Sequence, residues 1–170
     1  YRGEPIVSYF HSTCGGKTID DKFVFKGRDL PYIQSVYSPY GDKSPHWKWS
    51  TELPMYEISK YIRRKYKNIG RVEKIAFKKV EGRVSAVRIT HRNGILELSG
   101  NSFRLLFPVK KVKSTYFSAQ RSDNGLKLFG KGWGHGVGLC QWSSKGMAER
   151  GAHYKAILRY FYKNIRIKRL

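Results

Sequence analysis

Acidic residues are scarce in this chain: Asp and Glu number 12 against 34 Lys and Arg in 170 residues, a formal charge of +22 at pH 7. The basic residues run along the whole length rather than gathering in one tail. That implies a broad positive field and a polyanionic partner or surface, such as nucleic acid, anionic lipid or anionic wall polymer. Cysteine is nearly missing. Cys14 and Cys140 lie far apart and match no CxxC pattern, so composition leaves them open to being free, disulfide-linked or metal-bound. No apolar run approaches the roughly 18 residues of a spanning helix. The chain starts at Tyr1 with no leading apolar segment, as expected of a mature or excised piece. Internal repeats and low-complexity stretches are absent too, which excludes solenoid and linker-like organisation.

What remains is a chain able to fold. A hydrophobic share of 40% and an aromatic share of 15% are far from the signature of disorder, and the length suits one compact domain with a real core. Composition alone favours a nucleic-acid partner, with cations interleaved with Tyr61, Tyr66, Phe77 and Tyr160. No RNA-recognition signature, zinc-finger spacing or helix-turn-helix pattern supports that reading.

Residues Pro5 to His11 favour extended backbone and predict a strand running into the Gly15-Gly16 turn. From Asp29 to Pro54, four prolines punctuate Tyr32, Tyr37, Tyr40, Trp47 and Trp49, predicting a long ordered loop. Pro54 opens an amphipathic helix with Met55, Ile58, Tyr61 and Ile62 on one face. Strands at Val72 to Val80, Arg83 to Arg92 and Ile95 to Leu98 are joined by turns at Glu81-Gly82 and Asn93-Gly94. Asn101 or Ser102 is placed to cap a short helix around Phe103 to Leu106, followed by strands near Ser114 to Ala119 and Leu126 to Gly130. A glycine-rich turn, Gly130 to Gly138, leads into a helix that Gly151 stops. A last helix, about His153 to Tyr162, precedes a terminal strand at Ile165 to Ile167. The fold class expected is α+β, one domain over residues 1–170. Its core is an antiparallel meander or barrel-like sheet with several helices and a C-terminal helix pair.

The densest motif is KGWGHGVGLCQWSSKGMAERGAHYKAILRYFYKNIRI, Lys131 to Ile167. With Gly130 it supplies Gly132, Trp133, Gly134, His135, Gly136, Gly138, Gln141, Trp142, Gly146, Met147, Ala148, Gly151, Tyr154, Ile157 and Leu158. This closely resembles the GxGWGHGxGxxQWGAxGMAxxGxxYxxIL core of the sporulation protein D / LytB family. YFHSTCGGKT at Tyr9 to Thr18 resembles that family's YxxSTxGGxT turn, and PYIQSVYSP at Pro31 to Pro39 its following loop. Weaker likeness at Gly100 to Arg104 and Lys113 to Phe117 extends the resemblance over nearly all of the chain. Two departures stand out. Ser143-Ser144 replaces Gly-Ala after the Gln-Trp pair, and residues 1–170 contain nothing like the family's preceding segment with its proposed catalytic glutamate.

The resemblance implies an extracytoplasmic protein acting on peptidoglycan. The implied chemistry is lytic cleavage between N-acetylmuramic acid and N-acetylglucosamine in peptide-free glycan. One carboxylic acid then suffices, because an internal sugar hydroxyl takes the place of water, unlike the paired carboxylates of ordinary glycosidases. Glu4, Glu52, Glu57, Glu73, Glu81, Glu97 and Glu149 lack a glycosidase context, so no catalytic residue is assigned and enzyme activity is expected only of a longer protein. A non-catalytic amidase enhancer, binding wall and a cell-wall amidase, is the alternative within the family. No nucleic-acid partner is expected, and membrane association is expected only through the missing segment.

The substrate-binding residues expected are Ser12, Thr13, Gly15, Gly16, Thr18, Trp133, Gly134, His135, Gly136 and Gln141. Glycines let the backbone approach a ligand, amides at the following helix start suit an acidic substituent, and hydroxyls and Gln141 suit sugar polar groups. Trp47 and Trp133 are candidates to stack on pyranose faces, whereas Trp142 leans toward core. His11, Cys14, His135 and Cys140 all fall in the two motif blocks and make an acceptable tetrahedral zinc set. A Cys14–Cys140 disulfide is equally natural outside the cytoplasm, and the pair is otherwise free. No cofactor is required by the chemistry.

Overall fold

The computed structural model describes residues 1–168. The chain packs as two compact units: one built from residues 1–47 with the chain from Gly132 onward, the other from Lys48–Lys131. They are called here the motif unit and the sheet unit. The α+β class holds, with four α-helices and open sheets of two or three strands among the described residues; the meander alternative applies and the barrel-like one does not.

The sheet unit follows the hydrophobic patterning closely. Strand β4 (Lys48–Pro54) leads into helix α1 (Met55–Lys65), whose Ile58 and Ile62 are fully buried one turn apart. Arg63, Arg64 and Lys65 sit in its last turn, where cations suit the negative end of the helix dipole. Strands β5 (Val72–Val80), β6 (Arg83–His91) and β7 (Gly94–Ser99) form an antiparallel three-stranded meander, in the expected places. Ser99 then caps α2 (Gly100–Arg104) by accepting the Ser102 amide at 3.0 Å. The expected caps, Asn101 and Ser102, lie inside the helix because β7 runs into it without a loop. Strands β8 (Phe117–Ser122) and β9 (Gly125–Lys131) complete a second antiparallel sheet of order β4, β9, β8. Leu53, Ile58, Ile62, Ile89, Phe103, Val112 and Leu128, all 0% exposed, form the core of this unit.

The motif unit has little regular structure. β1 (Phe10–His11) pairs in parallel with β10 (Leu139–Cys140), and β2 (Gly16–Lys17) pairs antiparallel with β3 (Tyr37–Ser38). Helix α3 (Gln141–Ala148) ends as expected at Gly151, φ +85°. The Gly151 amide bonds Ala148 O and the Ala152 amide bonds Met147 O, the pairing that closes a helix through a left-handed residue. Helix α4 (Tyr154–Phe161) buries Ile157 and Phe161 beside Ile19, Ile33 and Val137.

Three sequence expectations are corrected. The strand expected from Pro5 is only Phe10–His11, because its pairing partner β10 is two residues long. The loop expected from Asp29 to Pro54 ends earlier, since β3 and all of β4 lie within it; Trp49 and Leu53 are buried against β9 in the alternation of a half-buried strand. Residues Ile165 to Ile167 are not a strand.

Candidate functional site

The two motif blocks meet in the motif unit. The β1–β10 register sets His11 opposite Cys140, and isolated bridges add Thr13 to Trp133 and Ile19 to Val137. Gly132 and Gly138 are where this approach demands glycine. Their φ values are +76° and +68°, and a Cβ would lie 2.3 Å from Thr13 O and 2.1 Å from Tyr9 O respectively. Any side chain there would push the glycine-rich turn off the first block.

Beneath the turn, one donor atom from each of His11, Cys14 and Cys140 lies within 4.8 Å of the others, and all three residues are buried. The thiols are unjoined. Cys140 Sγ accepts the Cys14 amide at 3.1 Å and the Ser143 amide at 3.4 Å, so it also caps α3. The Cys140 hydrogen bond, with help from His11 and Ser143, holds Cys14 down to about 4, against burial. The same bond and burial push Cys140 upward. The shared hydrogen bond thus favours ionisation of Cys14 over Cys140. His11 Nδ1 lies 3.1 Å from Val137 O; with Nδ1 donating to this carbonyl, Nε2 is left as the ring's ligand atom, the second-shell arrangement typical of metal-binding histidines. His135 does not join the set. Its Nδ1 accepts the Val137 amide at 3.1 Å, and its ring packs among Tyr9, His11 and Phe25.

Beside the turn, the buried Thr13 and Ser44 hydroxyls lie 2.7 Å apart, and half-buried Ser12 continues the chain 3.3 Å from Thr13 Oγ1. The Gly132 amide reaches the His46 and Trp47 carbonyls. The His46 ring stands edge-on to Trp133 at 4.1 Å, and Trp47 lies against Gly16; all three aromatic residues are partly exposed. These half-open rings suit a ligand with aliphatic faces, and Ser12 is the partly exposed hydroxyl of the chain. Of the other expected residues, Thr18 is spent on structure, its Oγ1 accepting the Val36 amide at 2.9 Å. Gln141 is exposed at the start of α3, and Trp142 is half-buried in it. Ser44 and His46 were not expected as site residues. Their signal was Pro45-His46-Trp47, inside the segment read as a loop.

A family model described as "Domain of unknown function (DUF8618)" matches residues 35–138, more than half of the chain. The uncharacterized protein BHWA1_00569 of Brachyspira hyodysenteriae is 31% identical over 175 residues, covering 98% of this chain and 44% of its own length. Stage II sporulation protein D of Bacillus subtilis is 27% identical over 167 residues, 98% of this chain and 46% of the relative. The chain belongs to the DUF8618 family and, with these relatives, to the sporulation protein D / LytB family. The amidase enhancer of Bacillus subtilis is 34% identical over 62 residues, 36% of this chain and 9% of that protein. The chain spans a little under half the length of the near-full-length relatives it matches. For this member of the sporulation protein D / LytB family, a role connected with the cell wall follows.

Proposed function

We propose that this chain is the glycan-holding part of a peptidoglycan lytic transglycosylase, acting on peptide-free strands between N-acetylmuramic acid and N-acetylglucosamine, outside the cytoplasm. The observation that carries this reading is the half-open group of Trp47, His46 and Trp133, with partly exposed Ser12 bonded to buried Thr13, which Ser44 holds from behind. Rings pack on the aliphatic faces of pyranoses, and the Ser12 hydroxyl is placed to bond a rim. The charge of +22 supports it too, because a strand stripped of peptides exposes one lactyl carboxylate per muramic acid. The acid remains unassigned. Buried Asp21 receives the Leu30 amide on both oxygens, Asp20 and Asp29 face Lys22, and Glu149 faces Lys43 and Lys145. The test is incubation with peptide-free glycan strands, with pull-down and mass spectrometry for 1,6-anhydromuramic acid ends. Binding is expected; anhydro ends would place the acid within this chain, and absence of binding overturns the reading. Binding only in the presence of a wall amidase would favour an amidase enhancer.

We also propose a zinc ion held by His11, Cys14 and Cys140. Two soft sulfur donors and an oriented imidazole fit that ion, and their burial makes it a structural clamp between β1 and β10. Elemental analysis is expected to find about one zinc per chain, and chelation to lower Tm by several degrees. A metal-free protein whose thiols resist alkylation until reduced would show a disulfide instead.

A further inference from the structure

We infer that the sheet unit carries a separate saccharide subsite for an acidic amino sugar, a pyranose bearing a carboxylate. It is a hollow of about 270 Å³ at the solvent side of β9, next to the turn between β5 and β6. This inference rests on the cell-wall reading but uses no residue of the motif unit.

Phe129 is the more exposed ring of the hollow. Its strand buries Leu126 and Leu128, while Phe129 points outward and is 40% exposed. An outward phenylalanine adds nothing to the core, and its register partners are small: Ser50 on β4 and Ser118 on β8. Neither serine is large enough to cover the ring. A second ring, Tyr116, lines the same hollow and is held in place. The Arg83 guanidinium lies 4.8 Å from its centroid, and a Cβ on Gly82 would stand 2.9 Å from the ring edge. Glycine at position 82 thus leaves room for the ring to close over the turn.

Cations stand around these rings. Lys131 Nζ is 5.8 Å from the Tyr116 centroid and Lys127 Nζ 5.9 Å from that of Phe129; Lys79 lines the hollow as well. Lys127 is paired with Glu52, but Lys79 and Lys131 are exposed and have no acidic partner among the described residues. An apolar floor of two rings takes the aliphatic face of a sugar, the Ser118 hydroxyl bonds its rim, and two ammonium groups take its carboxylate. The volume admits a single substituted pyranose. N-acetylmuramic acid has this chemistry; N-acetylglucosamine shares the ring and the acetamido group but lacks the carboxylate.

The test is amide chemical-shift titration of the full chain with N-acetylmuramic acid, N-acetylglucosamine and a short oligothymidylate. Shifts are expected around Tyr116, Ser118, Phe129 and Lys131, with the acidic sugar about fivefold tighter than the neutral one. Phe129→Ala should weaken both sugars about tenfold with an unchanged circular dichroism spectrum, and Lys131→Met should remove most of the preference. Equal affinity for the two sugars, or tighter binding of the oligonucleotide in the hollow, overturns the proposal. Glycan-strand pull-down with the same protein separates the two readings. Retained strands with a silent hollow sink the subsite alone, whereas shifts in the hollow without retention sink the strand reading and leave the subsite standing.

Discussion

The sheet unit and the motif unit solve the pairing of buried backbone by opposite means. In the sheet unit, six strands of 6–9 residues satisfy each other's amides and carbonyls, and the space between is filled with aliphatic and aromatic carbon. In the motif unit, four strands of two residues leave most backbone unpaired by sheet. Buried polar side chains take over: Thr18 for Val36, Asp21 for Leu30, His11 for Val137 and Ser143 for Ser38. An irregular backbone needs such partners, and once bought at that cost of apolar volume, they also put imidazole, thiol and hydroxyl groups within reach of one another.

Gly138→Ala should separate the two units most strongly. Both the positive φ and the Tyr9 carbonyl at 2.1 Å oppose a side chain, and a loss of about 4 kcal/mol is expected. Hydrogen exchange should show amides of the motif unit released while β6 and β9 stay protected; equal release in both units would break the comparison. Leu128→Ala makes the reverse probe, emptying a fully buried site. It should cost about 3 kcal/mol in denaturant unfolding, with the early exchange confined to the sheet unit. Trp133→Ala is expected to lower affinity for glycan strands about tenfold in pull-down titration while changing stability little, since Trp133 is partly exposed; unchanged affinity would remove the tryptophan from the site. Smallest is Ser99→Ala, which deletes the α2 cap and should cost about 1 kcal/mol, read as a small drop in Tm.

How far the sequence could be read follows the same division. Glu81-Gly82 and Asn93-Gly94, with alternating apolar residues on either side, placed β5, β6 and β7 within two residues of their ends, because local patterning decides a meander. Trp49 and Leu53 alternate equally well, but the surrounding prolines made β4 read as loop. In the motif unit, α3, α4 and the Gly151 stop were readable from capping chemistry. β1 and β10 were not, since two-residue strands are created by a contact between residues 129 positions apart rather than by any local preference. The motif blocks named His11, Cys14 and Cys140 correctly as neighbours and added His135, whose ring is adjacent but turned to other work. Ser44 and His46 belong to neither block, and their place near Thr13 and Trp133 is set by tertiary packing alone.

The division of the chain carries a last consequence, for synthesis. The sheet unit is one uninterrupted stretch, Lys48–Lys131, whereas the motif unit is closed only by residues that follow Gly132. A growing chain therefore has everything needed for the two sheets before β10 exists. Phe10, His11 and the first cysteine must wait without their partners until the glycine-rich turn has been made. At about 5–20 residues per second, the 126 positions from Cys14 to Cys140 take roughly 6 to 25 seconds, during which Cys14 is an unsheltered thiol. The order of assembly runs from the middle of the chain outward, and the chemistry of the motif unit is the last thing to arrive.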